Sequence, residues 1–189
     1  MTGYFPTAGA FLITFVFGFY ILSIMLRFLL QAVRADFYNP LSQFLVKITN
    51  PPLRPLRRLI PGLGGLDMAA VVLMLALQML EMFILAWLAG ASMHPWVLFV
   101  FALTELLSLL LYVFLFGILI LVVVSWIAPH AHNPITGLVR QLTAPVMRPI
   151  QRRLPVFSGL DLSPLIALVV LNLLIMAIPY LRASLISLM

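Results

Sequence analysis

The chain has 189 residues, 64% of them hydrophobic and 8% charged, with a formal net charge of +6 and no cysteine, and its mean hydropathy is +1.19. A soluble domain is roughly half apolar and a quarter charged, so this composition belongs to the membrane class, and four spans of about 20 residues with their loops leave no length for a separate soluble domain. The missing cysteines exclude a disulfide framework, thiolate metal sites and a cysteine nucleophile; the basic excess is not a nucleic-acid surface, because the cations cluster beside apolar spans instead of covering a solvated face with aromatics to stack on bases.

In chain order, the apolar run from Ala8 to Leu30 lacks the positive n-region and cleavage site of a signal peptide and is too long for an h-region, so it is the first predicted span. A basic loop, about 31–66, follows. After Asn39 and Pro40, Leu41, Phe44, Leu45 and Ile48 keep the spacing of an amphipathic helix, with Ser42, Gln43 and Lys47 on the other face. Proline at a first helical position presets φ and gives up only a donor that is unpaired anyway, which is the reading of Pro40 and Pro55; the Thr49–Pro52 turn then breaks the loop into two short helices. Asp67 precedes the second span, Met68 to Ala89, as an N-cap that sets a negative charge at the positive helix end. A short segment without Lys or Arg leads to a third stretch, Trp96 to Ile127, longer than the hydrocarbon needs, whose first turns belong in the outer interface or whose helix is tilted. The second basic loop, about 128–160, repeats the pattern: Ile135, Leu138, Val139 and Leu142 form the apolar stripe, Arg140 and Gln141 face away, Pro134 and Pro149 start helices, and Thr143–Pro145 breaks them. Asp161 caps the last span, Leu162 to Leu181.

Arg27, Arg34, Lys47, Arg54, Arg57 and Arg58, then Arg140, Arg148, Arg152 and Arg153, account for every Lys and Arg except Arg182. The positive-inside rule therefore puts both basic loops in the cytoplasm and both termini outside. The two loops also match without a gap at one fixed offset: Asn39, Pro40, Thr49, Pro51, Arg54, Pro55, Arg58, Pro61, Gly65, Leu66 and Asp67 recur as Asn133, Pro134, Thr143, Pro145, Arg148, Pro149, Arg152, Pro155, Gly159, Leu160 and Asp161. The expected fold is all-α, one polytopic membrane domain over 1–189, with four transmembrane helices from two tandem parallel repeats, about 8–89 and 96–181. Each repeat is helix, basic amphipathic loop, helix, and an axis along the membrane normal relates the two.

Amphipathic basic helices beside spans lie in the inner headgroup layer, where each cation near anionic lipid contributes about 1 kcal/mol. Orientation and lipid contact account for loop basicity in general; recurrence of Arg54 and Arg58 as Arg148 and Arg152, with Lys47, Arg57 and Arg153 beside them, marks these as candidate residues for a protein partner or lipid phosphate. Glu81 and Glu105, inside the apolar stretches, sit at similar depths on antiparallel neighbours and are candidates for a shared proton or cation on an ion path. Gln78 and its repeat mate Asn172 are expected to bond between helices. No cofactor or metal site is expected: His130 and His132 with Asn133 are two near ligands without a third, and no phosphate loop or serine-nucleophile motif is present.

The segments RADFYNPLSQFLVKITNPPLRPLRRLIPGLGGLD at Arg34 to Asp67 and HNPITGLVRQLTAPVMRPIQRRLPVFSGLD at His132 to Asp161 resemble the YggT family, related to the YlmG proteins of Gram-positive bacteria and plastids. The second copy departs from the first at Gln151 for Arg57 and Ser158 for Gly64. The resemblance implies a multi-pass protein of the bacterial inner membrane without an established activity. Its plastid relatives are associated with b-type cytochrome assembly and nucleoid organisation, Gram-positive ones lie among cell-division genes, and enterobacterial ones are associated with osmotic stress. The expected partners are membrane lipids including anionic headgroups, and a membrane protein or a second copy of the chain; nucleic acid is not expected.

Overall fold

The computed structural model describes residues 4–127, 133–153 and 161–188. Among them are six helices, α1 (Tyr4–Ala32), α2 (Pro40–Leu59), α3 (Met68–Leu88), α4 (Pro95–Ile127), α5 (Pro134–Gln151) and α6 (Ser163–Ile186), and no strand beyond one isolated bridge. α1, α3, α4 and α6 are each long and apolar enough to cross a membrane, which supports a multi-pass membrane protein, and the order span, amphipathic helix, span occurs twice. Many large apolar side chains of these spans, such as Phe15, Phe83, Phe116 and Leu173, point outward, the arrangement expected where lipid tails are the solvent. Where helices touch, small residues let the backbones approach: Ala69, Ala70, Ala102 and Ala167 are fully buried. Gly117 of α4 lies so close to α5 that a Cβ there would meet the Thr143 methyl at 2.9 Å.

Two apolar clusters hold the bundle. One joins Ile21, Ile24, Met25 and Leu29 of α1 with Leu45 and Leu53 of α2, Ala70 and Met74 of α3, Leu106 and Val113 of α4, and Leu138 and Leu142 of α5. The other joins Leu115 and Ile118 of α4 with Met147 of α5 and Ala167 and Leu171 of α6. α4 belongs to both, and at about 50 Å its 33 residues exceed the hydrocarbon thickness. At its start the Trp96 indole Nε1 donates to the Leu185 carbonyl at 3.3 Å, fixing α4 against the far end of α6.

The loop helices differ from expectation in two ways. Neither is broken: α2 runs unbroken through Pro51, Pro52 and Pro55, and α5 through Pro145 and Pro149, so Pro55 and Pro149 are interior residues and not helix starts. An interior proline leaves the carbonyl four residues earlier without its partner. The one that Pro52 frees, on Ile48, is taken by the Tyr20 hydroxyl of α1 at 3.2 Å, and packing of Leu45, Thr49 and Leu53 against the spans holds the rest of α2 in line. The buried stripe is also rotated: Ser42, Leu45, Thr49 and Leu53 face inward, while Leu41 and Phe44 are exposed. Ser42 can be buried because its hydroxyl donates to the Asp36 carbonyl at 3.0 Å. The N-termini are as expected, with Asn39 and Asn133 capping from their side chains and Pro40 and Pro134 leading the helices.

After α2 the chain reverses in a tight turn in which Leu63 and Leu66 exchange backbone hydrogen bonds at 3.1 and 2.9 Å. Gly64 and Gly65 between them both have positive φ, +60° and +85°, which a turn of this hand requires at both central positions. The corresponding Ser158 and Gly159 lie outside the described residues, as do His130 and His132.

Candidate functional site

The loop helices begin side by side at one end of the molecule: the Asn39 side chain donates to the Pro134 carbonyl at 2.9 Å, and the Asp36 backbone N–H donates to Gln141 at 3.0 Å. On α2, Lys47, Arg54 and Arg58 fall along one stripe at i, i+7 and i+11. All three are exposed, and none of their side chains makes a hydrogen bond or ion pair among the described residues. Arg148 and Arg152, their counterparts on α5, are likewise exposed and unpaired among the described residues, with Gln141 where α2 has Lys47. Arg153 follows at the exposed end of α5.

Arg57 is different. Its Nε donates to Asp67 Oδ2 at 3.0 Å and its Nη2 closes an ion pair with the same oxygen, bolting the end of α2 to the start of α3. Asp67 also caps α3 by accepting from the Ala70 N–H. In the second copy Gln151 donates to Asp161 Oδ2 at 3.0 Å, so the substitution of Gln for Arg keeps the bolt and discards its positive charge. Asp161 stands one residue before the N-cap position, which is Leu162, and accepts from the Ser163 backbone N–H at 2.9 Å. Hydrogen bonding from the Ser163 side chain, opposed by burial and aided by the Ser163 backbone and Gln151, holds its carboxyl below the usual carboxylate range.

A further cation, counted in the sequence among the loop charges, is inside the structure. Arg27 of α1 is only 5% exposed, and its Nη1 donates to Thr49 Oγ1 at 2.7 Å, while that hydroxyl donates to the Leu45 carbonyl at 2.6 Å. α2 is thus fastened over α1 by a charge-assisted bond. Thr143, the counterpart on α5, is also buried and bonds the Val139 carbonyl at 2.9 Å, but Leu121 stands where the repeat would place an arginine.

In the spans, Glu81 and Glu105 do not bond each other. Glu81 is buried and accepts from Gln78 at 3.0 Å. Glu105 is paired with Arg182 of α6 at 2.6 Å; the same guanidinium donates to Thr104 at 2.9 Å and lies 4.5 Å from the centre of the Phe101 ring. α6 reaches Arg182 because it runs about a turn beyond the apolar stretch. Gln78 and Asn172 both bond within their own helices, Asn172 to the Leu168 carbonyl, and not between helices as expected. Sequence reasoning missed Arg27, Arg34 and Arg182. A cation inside an apolar run and a lone cation at the far end of the last span were the available signals for the first and third. Arg34, in the sequence one loop charge among several, is the one non-glycine residue with positive φ, +53°, among those described.

Comparison with known proteins adds the lineage. A family model described as CCB3/YggT matches residues 7–88 and again 100–181, once per repeat. The chain belongs to the CCB3/YggT family. It is 42% identical to an uncharacterized protein of Pseudomonas aeruginosa over 174 residues, covering 91% of this chain and 88% of that one. It is 33% identical to the uncharacterized protein YggT of Escherichia coli over 168 residues, covering 89% and 87%, and 40% identical to an uncharacterized protein of Vibrio alginolyticus over 160 residues, covering 83% and 85%. No solved structure matches.

Proposed function

We propose that this CCB3/YggT protein is a non-catalytic assembly or scaffold factor of the bacterial inner membrane, built from two parallel repeats, whose cytoplasmic arginine-proline helices dock a protein partner or anionic lipid. The observation that carries this reading is the division of labour among the cations on α2 and beneath it on α1. Arg57 and Arg27 are consumed by Asp67 and Thr49, whereas Lys47, Arg54 and Arg58 stand in an open stripe backed by a helix that is itself fastened down. Fold stability alone gives those three no task. The positive-inside rule supports a cytoplasmic side for this stripe. Affinity purification from native membranes, comparing the intact chain with an Arg54→Ala/Arg58→Ala variant, tests it: a stoichiometric partner is expected with the first and lost with the second, and the same co-purifying proteins from both would overturn the docking role.

A second reading, an ion or small-solute path linked to osmotic response, is favoured by one observation, the burial of Glu81 within a span with Gln78 as its hydrogen-bond partner. It expects Glu81→Gln to change flux at unchanged protein level. Glu105, the other carboxylate of this reading, pairs with Arg182.

A further inference from the structure

The stripe that stands open on α2 borders a groove on α5, where Arg148 and Arg152 remain exposed. Gln141, Ala144, Pro145, Arg148, Pro149 and Arg152 line one side of a groove of about 530 Å³ whose other side is Ala32, Val33 and Arg34 from the end of α1. Three guanidinium groups, on Arg34, Arg148 and Arg152, therefore line one concavity, and none of them has a hydrogen bond from its side chain to another described residue. The groove residues include no carboxylate; the nearby Asp36 accepts from the Tyr38 N–H.

Arg34 occupies its place at a cost. α1 ends in a Schellman turn, with Arg34 N–H bonded to the Gln31 carbonyl and Ala35 N–H to that of Leu30, and Arg34 holds the left-handed position that glycine fills without strain. A bulky residue there calls for a compensating use of its side chain.

The groove is also not isolated. Along Gln141, Ala144 and Arg148 it adjoins a larger cleft of about 950 Å³ between α4, α5 and α6, walled by Ile118, Leu121, Val122, Met147, Leu165 and Leu168. That cleft has polar groups at its rim, Arg140, Gln151 and Asp161 among them, and Asp161 is already engaged by Ser163 and Gln151. A cationic concavity that continues into an apolar trough at the end of a membrane bundle matches a molecule with an anionic head and a hydrocarbon tail.

We propose that this groove and cleft bind one anionic phospholipid per chain, with the headgroup phosphate at Arg34, Arg148 and Arg152 and an acyl chain between α4 and α6. The proposal rests on the docking reading for the role of the loops, but commits this face to lipid and leaves the α2 stripe to protein.

Native mass spectrometry of the purified full-length chain, exchanged with phosphatidylglycerol, phosphatidylcholine or glycerol phosphate, tests it. One phosphatidylglycerol retained per chain is expected, with phosphatidylcholine retained less. Arg34→Gly, which relaxes the turn while removing the cation, is expected to keep the thermal stability and lower retention by about five-fold, as should Arg152→Gln. Retention of phosphatidylglycerol by both variants at the level of the unmodified chain would overturn the proposal, and so would equal binding of tail-less glycerol phosphate, which would assign the site to a free phosphate compound. Arg54→Ala/Arg58→Ala is expected to keep its lipid; lipid retained there with an unchanged protein inventory would reject partner docking and leave the lipid site standing.

Discussion

The two loop helices share an Asn-Pro start, a buried threonine and an arginine pair, yet they are attached to the bundle differently. α2 is fastened by charge, through Arg27 to Thr49 and Arg57 to Asp67. α5 is fastened by shape, with Gly117 admitting Thr143 to close contact and a hydrogen bond from the neutral Gln151 amide to Asp161 in place of the ion pair. The consequence is a difference in which cations remain available. Two arginines, Arg57 of α2 and Arg27 of α1, are spent on holding α2, and the stripe of Lys47, Arg54 and Arg58 is left open; on α5 the exposed counterparts Arg148 and Arg152 line a groove against α1. The two repeats thus present their recurrent cations differently, on an open face of α2 and along a groove on α5.

The sharpest way to break this comparison is to remove the hydroxyl that both helices bury. Thr49→Val keeps the shape and leaves the Arg27 guanidinium buried without its acceptor, and a lost hydrogen bond to a charged group costs about 1.5–3 kcal/mol. Thr143→Val removes only a bond from the side chain to its own helix, so its cost should stay below about 1 kcal/mol. Thermal unfolding in detergent should therefore show a clearly lower midpoint for the first variant than for the second. Equal losses would mean that Arg27 contributes nothing through Thr49, and that the two helices are held alike.

Much of this was legible before any coordinates. Hydropathy located four spans and the offset between Asn39 and Asn133 revealed the repeat, because each rests on a local pattern that lipid or a helix terminus enforces. The loop helices were misread where tertiary contacts override local rules: interior prolines signal a break unless a neighbour such as Tyr20 takes a freed carbonyl, and Ser42 and Thr49 look polar until their hydroxyls are seen to be satisfied within the packed face. The arginine pairs of the candidate site were visible as a repeated motif. Which of the surrounding cations are already paired was not, since Arg57 to Asp67 and Arg182 to Glu105 join residues whose proximity depends on the turn and on the helix packing.

A smaller effect is expected from making the first bolt resemble the second. Arg57→Gln gives α2 the residue that α5 has, and the amide can reach Asp67 as Gln151 reaches Asp161; the loss should be about 0.5–1 kcal/mol, because Arg57 is partly solvated and exposed ion pairs contribute little. Arg57→Ala should cost more, as it leaves the buried Asp67 carboxylate with its cap bond alone. If Gln is as damaging as Ala in urea or heat, the positive charge and not the hydrogen bond is what joins α2 to α3.

The smallest effect is a pH dependence at Asp161. Asp161 has its folded pKa depressed, first by hydrogen bonding from Ser163 and also by Gln151. The sign follows directly: the folded state favours the carboxylate, so the contribution is complete above the unfolded value of about 3.9 and is lost as pH falls through the lower folded value. Asp161→Asn should accordingly lower stability slightly at neutral pH and flatten its decline in acid, since the amide can still accept from Ser163 but does not titrate. A variant that follows the same acid profile as the unmodified chain would show that Asp161 contributes no pH-dependent stability, and that the bolt of the second half holds by the Gln151 amide and helix packing without help from the carboxylate charge.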